Sequence, residues 1–221
     1  MSYILNIETA TKNCSVSIGF LGQTVILKEL SEEQFNHAEK LHVFIDECLQ
    51  TLDISYQDLV AVAVSKGPGS YTGLRIGVSA AKGFCYALDI PLIAIDTLEI
   101  LALQVATEQG CIIPMIDARR MEVFTQIYNN EHKAISDAYA LIITETSFEE
   151  LQGIIHFCGD VAVKSEKMLN EERFRFHSDV IYPSAQQMSM LSFNKFQKQQ
   201  FEQLAYFEPY YLKDFMLNVK K

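Results

Sequence analysis

A strand that ends in Gly-Pro-Gly and passes straight into a helix of small residues restricts this chain more than any other feature. The segment is Lys66-Gly67-Pro68-Gly69-Ser70-Tyr71-Thr72-Gly73-Leu74-Arg75-Ile76-Gly77, and it follows the apolar run Leu59–Val64. Gly67 and Gly69 let the backbone turn where a Cβ would clash. Ser70 or Thr72 is placed to cap the helix start, leaving free N–H groups pointing outward. Such a corner either holds an anion or simply joins two rigid elements.

The flanking pattern predicts a mixed sheet with helices on its faces. Tyr3–Ile7, Cys14–Phe20 and Thr24–Leu30 read as strands, with a tight hairpin at Gly22-Gln23. In the middle strand Val16, Ile18 and Phe20 share one face, and Ser15, Ser17 and Gly19 share the other. Phe35–Leu52 and Thr72–Leu88 read as helices, Ile90–Ile95 as a strand and Leu98–Ala106 as a helix. Strands follow over Ile112–Ile116, Val123–Tyr128, Leu141–Ile143 and Ile154–Cys158, and helices over Val161–Leu169 and Ser184–Gln203. The expected division is a first unit over residues 1–100 and a second over 101–204. A tail over about 205–221 packs back on the first.

With 28 acidic and 18 basic residues the chain carries a formal charge of −10. That balance opposes stand-alone nucleic-acid binding, which depends on neutralising phosphate. Cys14, Cys48, Cys85, Cys111 and Cys158 are widely spaced and odd in number, the pattern of reduced cytosolic thiols. The N-terminus reads as a first strand rather than a signal peptide, and no apolar run reaches membrane-spanning length. The expected location is the cytoplasm, with no membrane partner.

Local chemistry is sparse. On a helix, His37 and His42 are separated by about 140° and do not converge on a metal. His132, His156 and His177 fall in predicted loops or strand ends without metal spacing. The Gly-Pro-Gly turn lacks the Gly-Lys-Ser/Thr of a phosphate loop, and its next glycine is one place late for a dinucleotide fingerprint. Ser70 has no nucleophile elbow around it. Asp117, Arg119, Arg120 and Glu122 read as a salt-bridged turn. On the second helix, Gly73, Gly77, Ala80 or Ala81, and Phe84 fall along one stripe suited to close helix approach. Leu74, Val78, Cys85 and Leu88 form another that faces the sheet. A mid-helix glycine costs about 1 kcal/mol against alanine, so two of them one turn apart imply a packing reason. Packing within the chain and a partner interface both meet that need.

Four segments together resemble one family. They are Ile4–Thr11, Gly67–Gly77 with Ala81-Lys82-Gly83 after it, Ile116–Val123, and Pro209-Tyr210-Tyr211-Leu212-Lys213. They are similar to TsaB, also called YeaZ, a bacterial protein of tRNA threonylcarbamoyladenosine synthesis. The resemblance implies an α/β chain with the two-lobed fold of actin, Hsp70 and sugar kinases, the second lobe degenerate. It implies a heterodimer with TsaD, the paralogous catalytic subunit, an ATPase partner TsaE, and a homodimer when the chain is alone. Contact with tRNA comes only through the complex. The chain carries no cofactor of its own; ATP and a divalent metal belong to the partner.

The interface implied is His37, Leu41, Phe44, Ile45 and Cys48 on the first helix. On the turn and second helix it is Gly69, Ser70, Tyr71, Thr72, Gly73, Arg75, Gly77, Ala80, Ala81 and Phe84. In the superfamily a phosphate-holding turn follows the first strand; here that places Glu8, Thr9, Thr11 and Lys12. TsaD carries H-x-E-G-H where Thr97 and Leu101 stand in this chain, and a metal-binding Asp where Pro183–Met188 has no carboxylate. Neither Thr nor Leu replaces an imidazole. The expected role is a non-catalytic subunit. The alternative is a stand-alone enzyme of the same fold, either a small-molecule kinase or ATPase, or a glycoprotease-like metallopeptidase.

Overall fold

The computed structural model describes residues 2–31, 37–119 and 122–213. Its first sheet holds β1 (Tyr3–Glu8), β2 (Asn13–Phe20), β3 (Gln23–Ser31), β4 (Leu59–Gly67) and β5 (Leu92–Asp96), in the order β3-β2-β1-β4-β5. The β1–β2 and β2–β3 pairs are antiparallel, and β1–β4 and β4–β5 are parallel. The hairpin after β2 turns on Leu21 and Gly22, both at positive φ (51° and 83°), one residue earlier than expected.

The alternation in β2 sorts the two faces of this sheet. Cys14, Val16 and Ile18 join the core under α1 (His37–Thr51) and α2 (Tyr71–Leu88). Phe35, the expected start of the first helix, lies outside the described residues. On the other face Ser17 Oγ donates to Ala185 O at 2.7 Å, and Ala185 N donates to Ser15 Oγ at 2.9 Å. Glu29 Oε2 accepts from Ser15, Asn13 and Ser184, which fixes the turn at Pro183 to the sheet.

The second sheet contains β6 (Cys111–Asp117), β7 (Glu122–Thr125), β8 (Tyr128–Asn129), β9 (Tyr139–Ile142), β10 (Ile155–Cys158) and β11 (Phe174–Phe176). Its path β9-β7-β6-β10-β11 repeats the first sheet pair by pair: antiparallel, antiparallel, parallel, parallel. The expected single strand Val123–Tyr128 is broken, because Ile127 bonds sideways to Ser136 Oγ and to Ile135 N. No helix of the described residues joins β9 to β10. Between β10 and β11 only α4 (Ala162–Ser165) forms, since the N–H groups of Met168 and Leu169 both fold back on Ser165 O and close the turn. The second unit thus keeps the sheet and lacks counterparts of α1 and α2.

Two segments depart from the expected grouping. Helix α5 (Met188–Gln197), with a 3-10 turn at Ala185–Gln187 before it, is shorter than the expected Ser184–Gln203 because Gln199 adopts φ 54°. It packs on β1, β2 and β5 of the first sheet, and Met188 shares a core with Ile4, Ile93 and Ile95. Residues 184–204 therefore pack on the first sheet, although chain order assigns them to the second unit. Helix α3 (Thr97–Ala102) joins the two sheets: Leu98 and Leu101 are fully buried with Ile112, Ile116 and Cys158.

Candidate partner-binding face

The Gly-Pro-Gly corner closes onto the turn after β1. Ser70 N donates to Ala10 O at 2.7 Å, and Thr9 Oγ1 donates to Gly73 O at 2.8 Å. Ser70 is the N-cap of α2, its hydroxyl accepting from Gly73 N at 3.3 Å. A Cβ on Gly69 would collide with Ala10 O, one on Gly73 with Thr9 O, and one on Gly77 with Thr9 Oγ1. The absent side chains let α2 sit directly on residues 9–10 of its own chain. The stripe Gly73, Gly77, Ala81 is buried inside the molecule, so these three do not form an outer surface. Sequence periodicity fixes which residues share a stripe, but not which neighbour the stripe meets.

The same correction applies on α1. Leu41, Ile45 and Cys48 are fully buried core residues, and His37 is buried with Nε2 2.7 Å from Thr11 O. Burial lowers the His37 pKa against the raising effect of that hydrogen bond, which favours a neutral ring. Phe44 is half-buried, and the exposed face of α1 carries Glu39, His42, Val43 and Asp46. On α2 the expected residues Tyr71, Ala80 and Phe84 are half-buried, while Thr72 and Arg75 are exposed. The outward ridge is Thr72, Ser79, Gly83 and Tyr86, opposite Leu74, Val78 and Cys85. Tyr86 is 84% exposed, and nothing lies within 4 Å of where a Gly83 Cβ would stand. The signal for this ridge is helical arithmetic: it stands half a turn from the sheet-facing stripe.

The turn expected to hold phosphate is filled by the chain itself. Glu8, Thr9 and Thr11 are buried, and only Lys12 is exposed. Thr9 Oγ1 is engaged by Gly73 O, and Thr11 Oγ1 accepts from Asn13 N at 3.4 Å. Glu8 Oε1 accepts from Ala10 N at 2.5 Å, while the Ser65 hydroxyl stands nearby outside hydrogen-bonding geometry. Burial, the largest effect, raises the Glu8 pKa from 4.5 to about 7. Glu8, Thr9 and Thr11 offer a nucleotide phosphate no reachable side-chain donor, and of the four residues Lys12 alone has its side chain exposed. A separate cavity of about 650 Å³ lies beyond the ends of β4 and β5, lined in part by Lys66, Asp96, Glu99, Tyr128 and Tyr210, and no residue of Glu8–Lys12 borders it.

The turn carrying Asp117, Arg119 and Glu122 is closed by backbone hydrogen bonds, Ala118 N to Glu122 O and Glu122 N to Arg119 O, and not by the expected salt bridges among its own described side chains. Asp117 Oδ1 accepts from Arg119 N, Asp117 N donates to Asp160 Oδ1, and Glu122 pairs with Lys213. Burial raises the Asp160 pKa to about 6. Arg120 lies outside the described residues. Among the described residues no three His, Cys, Asp or Glu side chains converge as a metal site. Thr97 is buried, and its Oγ1 accepts from Gly67 N at 3.1 Å. Sequence reading missed the pair His156–His177, 2.9 Å apart between Nδ1 and Nε2, because parallel pairing of β10 and β11 brings them together.

The family described as "TsaD: tRNA N6-adenosine threonylcarbamoyltransferase" matches residues 28–219. The chain belongs to this family. Proteins named TsaB or YeaZ are among its relatives. "tRNA threonylcarbamoyladenosine biosynthesis protein TsaB" of Bacillus subtilis is 40% identical over 57% of this chain, and the match spans 54% of that protein. The Escherichia coli protein of the same name is 26% identical over 96% of this chain and 94% of its own. "YeaZ from Pseudomonas aeruginosa" superposes with a TM-score of 0.82 at 22% identity, covering 96% of this chain and all of that one. An activator of 2-hydroxyisocaproyl-CoA dehydratase from Clostridium difficile, solved with bound ADPNP, shares the fold at a TM-score of 0.50 and 10% identity, covering 90% of this chain and 97% of that one. The TsaB resemblance of the four short segments and the repeated sheet topology meet in this result. Ile4–Thr11 and Gly67–Gly77, distant in sequence, form one contact.

Proposed function

We propose that this chain is a non-catalytic subunit that docks on a TsaD-type catalytic subunit and supports its active site. The assembly transfers a threonylcarbamoyl group to N6 of the adenosine 3′ to the anticodon. The metal, the ATP and the transfer chemistry belong to the partner, with a TsaE-type ATPase completing the set. The tRNA is met only through the assembly, in the cytoplasm, and the free chain pairs with itself. One observation carries the docking: Gly83 stands mid-helix on the exposed ridge with no neighbour to explain its missing side chain. A glycine that destabilises its own helix by about 1 kcal/mol, with no internal contact in return, suits close approach by a second helix. The family membership and the names of the relatives support the identity of that second protein.

Mixing the purified chain with the TsaD homologue of the same cell tests this. Co-elution as a complex, and loss of tRNA modification when the chain alone is omitted, are the expected results. Separate elution with modification unaffected by the omission defeats the proposal.

A further inference from the structure

We infer that the C-terminal strap, residues 204–213, forms one wall of the partner-binding face, and that Arg75, held by Tyr71 and Tyr211, grips a carboxylate of the partner protein. This rests on the reading above that a TsaD-type subunit docks on α2. Three things flank that helix. The sheet takes one side. Helix α1 and its neighbour Tyr56 take another, through Phe84, whose ring lies 5.8 Å from His42 and 5.4 Å from Tyr56. The strap takes the third. Lys82 Nζ donates to Ala205 O at 3.3 Å and Phe207 O at 3.0 Å, and Arg75 Nε donates to Tyr211 OH at 3.0 Å. The ridge Thr72, Ser79, Gly83 and Tyr86 lies between α1 and the strap. A helix about 10 Å across cannot settle on that ridge without meeting both walls.

Lys82 and Arg75 are the charged groups of α2 on the strap side, and Lys82 is engaged by two strap carbonyls. The Arg75 guanidinium stacks 4.0 Å above the Tyr71 ring and lies 5.9 Å from the Tyr211 ring, and the two rings are 5.1 Å apart. Nε is engaged by Tyr211 and the side chain also interacts with the Tyr71 hydroxyl, which still leaves N–H donors among the five of the guanidinium. No carboxylate of the described residues pairs with them, although the chain has 28 acidic residues. An exposed arginine already ordered by two aromatic rings loses little freedom when it binds. Arg and Tyr are the side chains that dominate interface energetics, and the fork geometry matches a carboxylate. The exposed acidic residues Glu39 and Asp46 on α1, and Glu202 and Glu208 around the strap, oppose a nucleic acid, whose phosphates would face several of them, more than a single partner carboxylate that meets Arg75 alone.

The test measures binding of the full-length chain to the TsaD homologue by calorimetry at several salt concentrations. Arg75→Ala should weaken binding about tenfold and flatten its salt dependence. Arg75→Lys should not restore it, since a point charge lacks the fork. Tyr211→Phe keeps the ring, removes only the oxygen that orders Arg75, and should weaken binding about threefold with folding unchanged. If Arg75→Ala and Tyr211→Phe bind within twofold of wild type while Gly83→Arg abolishes binding, the strap inference falls and the docking reading stands. If the wild-type chain does not bind the homologue at all, both fall. If Arg75→Ala leaves that binding intact and weakens only tRNA binding by the assembly, or only self-association, the carboxylate assignment is overturned.

Discussion

Glu8 is a carboxyl at the end of a central strand with no exposed surface, and its pKa of about 7 reports how strongly the core resists its charge. The folded value lies above the unfolded value of 4.5. Its contribution to stability is therefore complete below pH 4.5 and is lost as pH rises to about 7, on the order of 3 kcal/mol in all. Glu8→Gln keeps an oxygen for Ala10 N and removes the charge. The expected outcome is a higher melting temperature at pH 8, a smaller difference at pH 5, and a flatter profile between, read by calorimetric scans. Two glycines on α2 give the complementary test. Gly77→Ala drives a methyl into Thr9 Oγ1 and should destabilise by about 1–3 kcal/mol. Gly83→Ala meets open space and should stabilise the isolated chain by about 1 kcal/mol, a melting shift of about 2–4 °C upward. Equal signs for the two, measured in denaturant, would contradict the assignment of inward and outward faces.

At the scale of elements, the sequence read most clearly where a signal is local. Ser70 or Thr72 announced the start of α2, which Ser70 caps, Leu59–Val64 announced β4, and the alternation Val16, Ser17, Ile18 announced the two faces of β2. What it left open is which neighbour each face meets. Gly73 and Gly77 share a stripe in the sequence, but only β1 running beside β4 brings Thr9 against them. Tyr211 reaches Arg75 across 136 positions, a separation no periodicity encodes. The link between β10 and β11 is of the same kind. His156 Nδ1 and His177 Nε2 are 2.9 Å apart with ring centroids 5.2 Å apart, so the two nitrogens point at each other with one proton between them. Burial, then the His177 ring, lowers the His156 pKa below 6.5. The stability it supplies is present above that value and lost as pH falls past it, because a second proton would set two donors face to face. Imidazole resonances followed by NMR should show His156 titrating below 6.5, and His156→Gln should remove part of the acid-side loss of stability. A His156 titration at or above 6.5 would contradict the shared-proton link.

For the whole molecule, two sheets of one topology have diverged in what covers them. The first keeps α1, α2 and α5, and the second keeps short turns where large helices would stand. Leu98 and Leu101 of α3 seal the sheets into a shared core, and residues 9–11 fill the turn that would face a phosphate. The turn after β1 is filled on the inside while a ridge on α2 is left open on the outside. On the proposed reading, function depends on what reaches that ridge. The most direct measurement is threonylcarbamoylation of tRNA reconstituted with the TsaD and TsaE homologues, comparing the wild-type chain with Gly83→Arg. The expected result is that Gly83→Arg folds as the wild type by circular dichroism, fails to join the TsaD homologue, and leaves modification at the level seen with the chain omitted. Full modification by a folded Gly83→Arg chain, or modification by the wild-type chain with no TsaD homologue present, would contradict it.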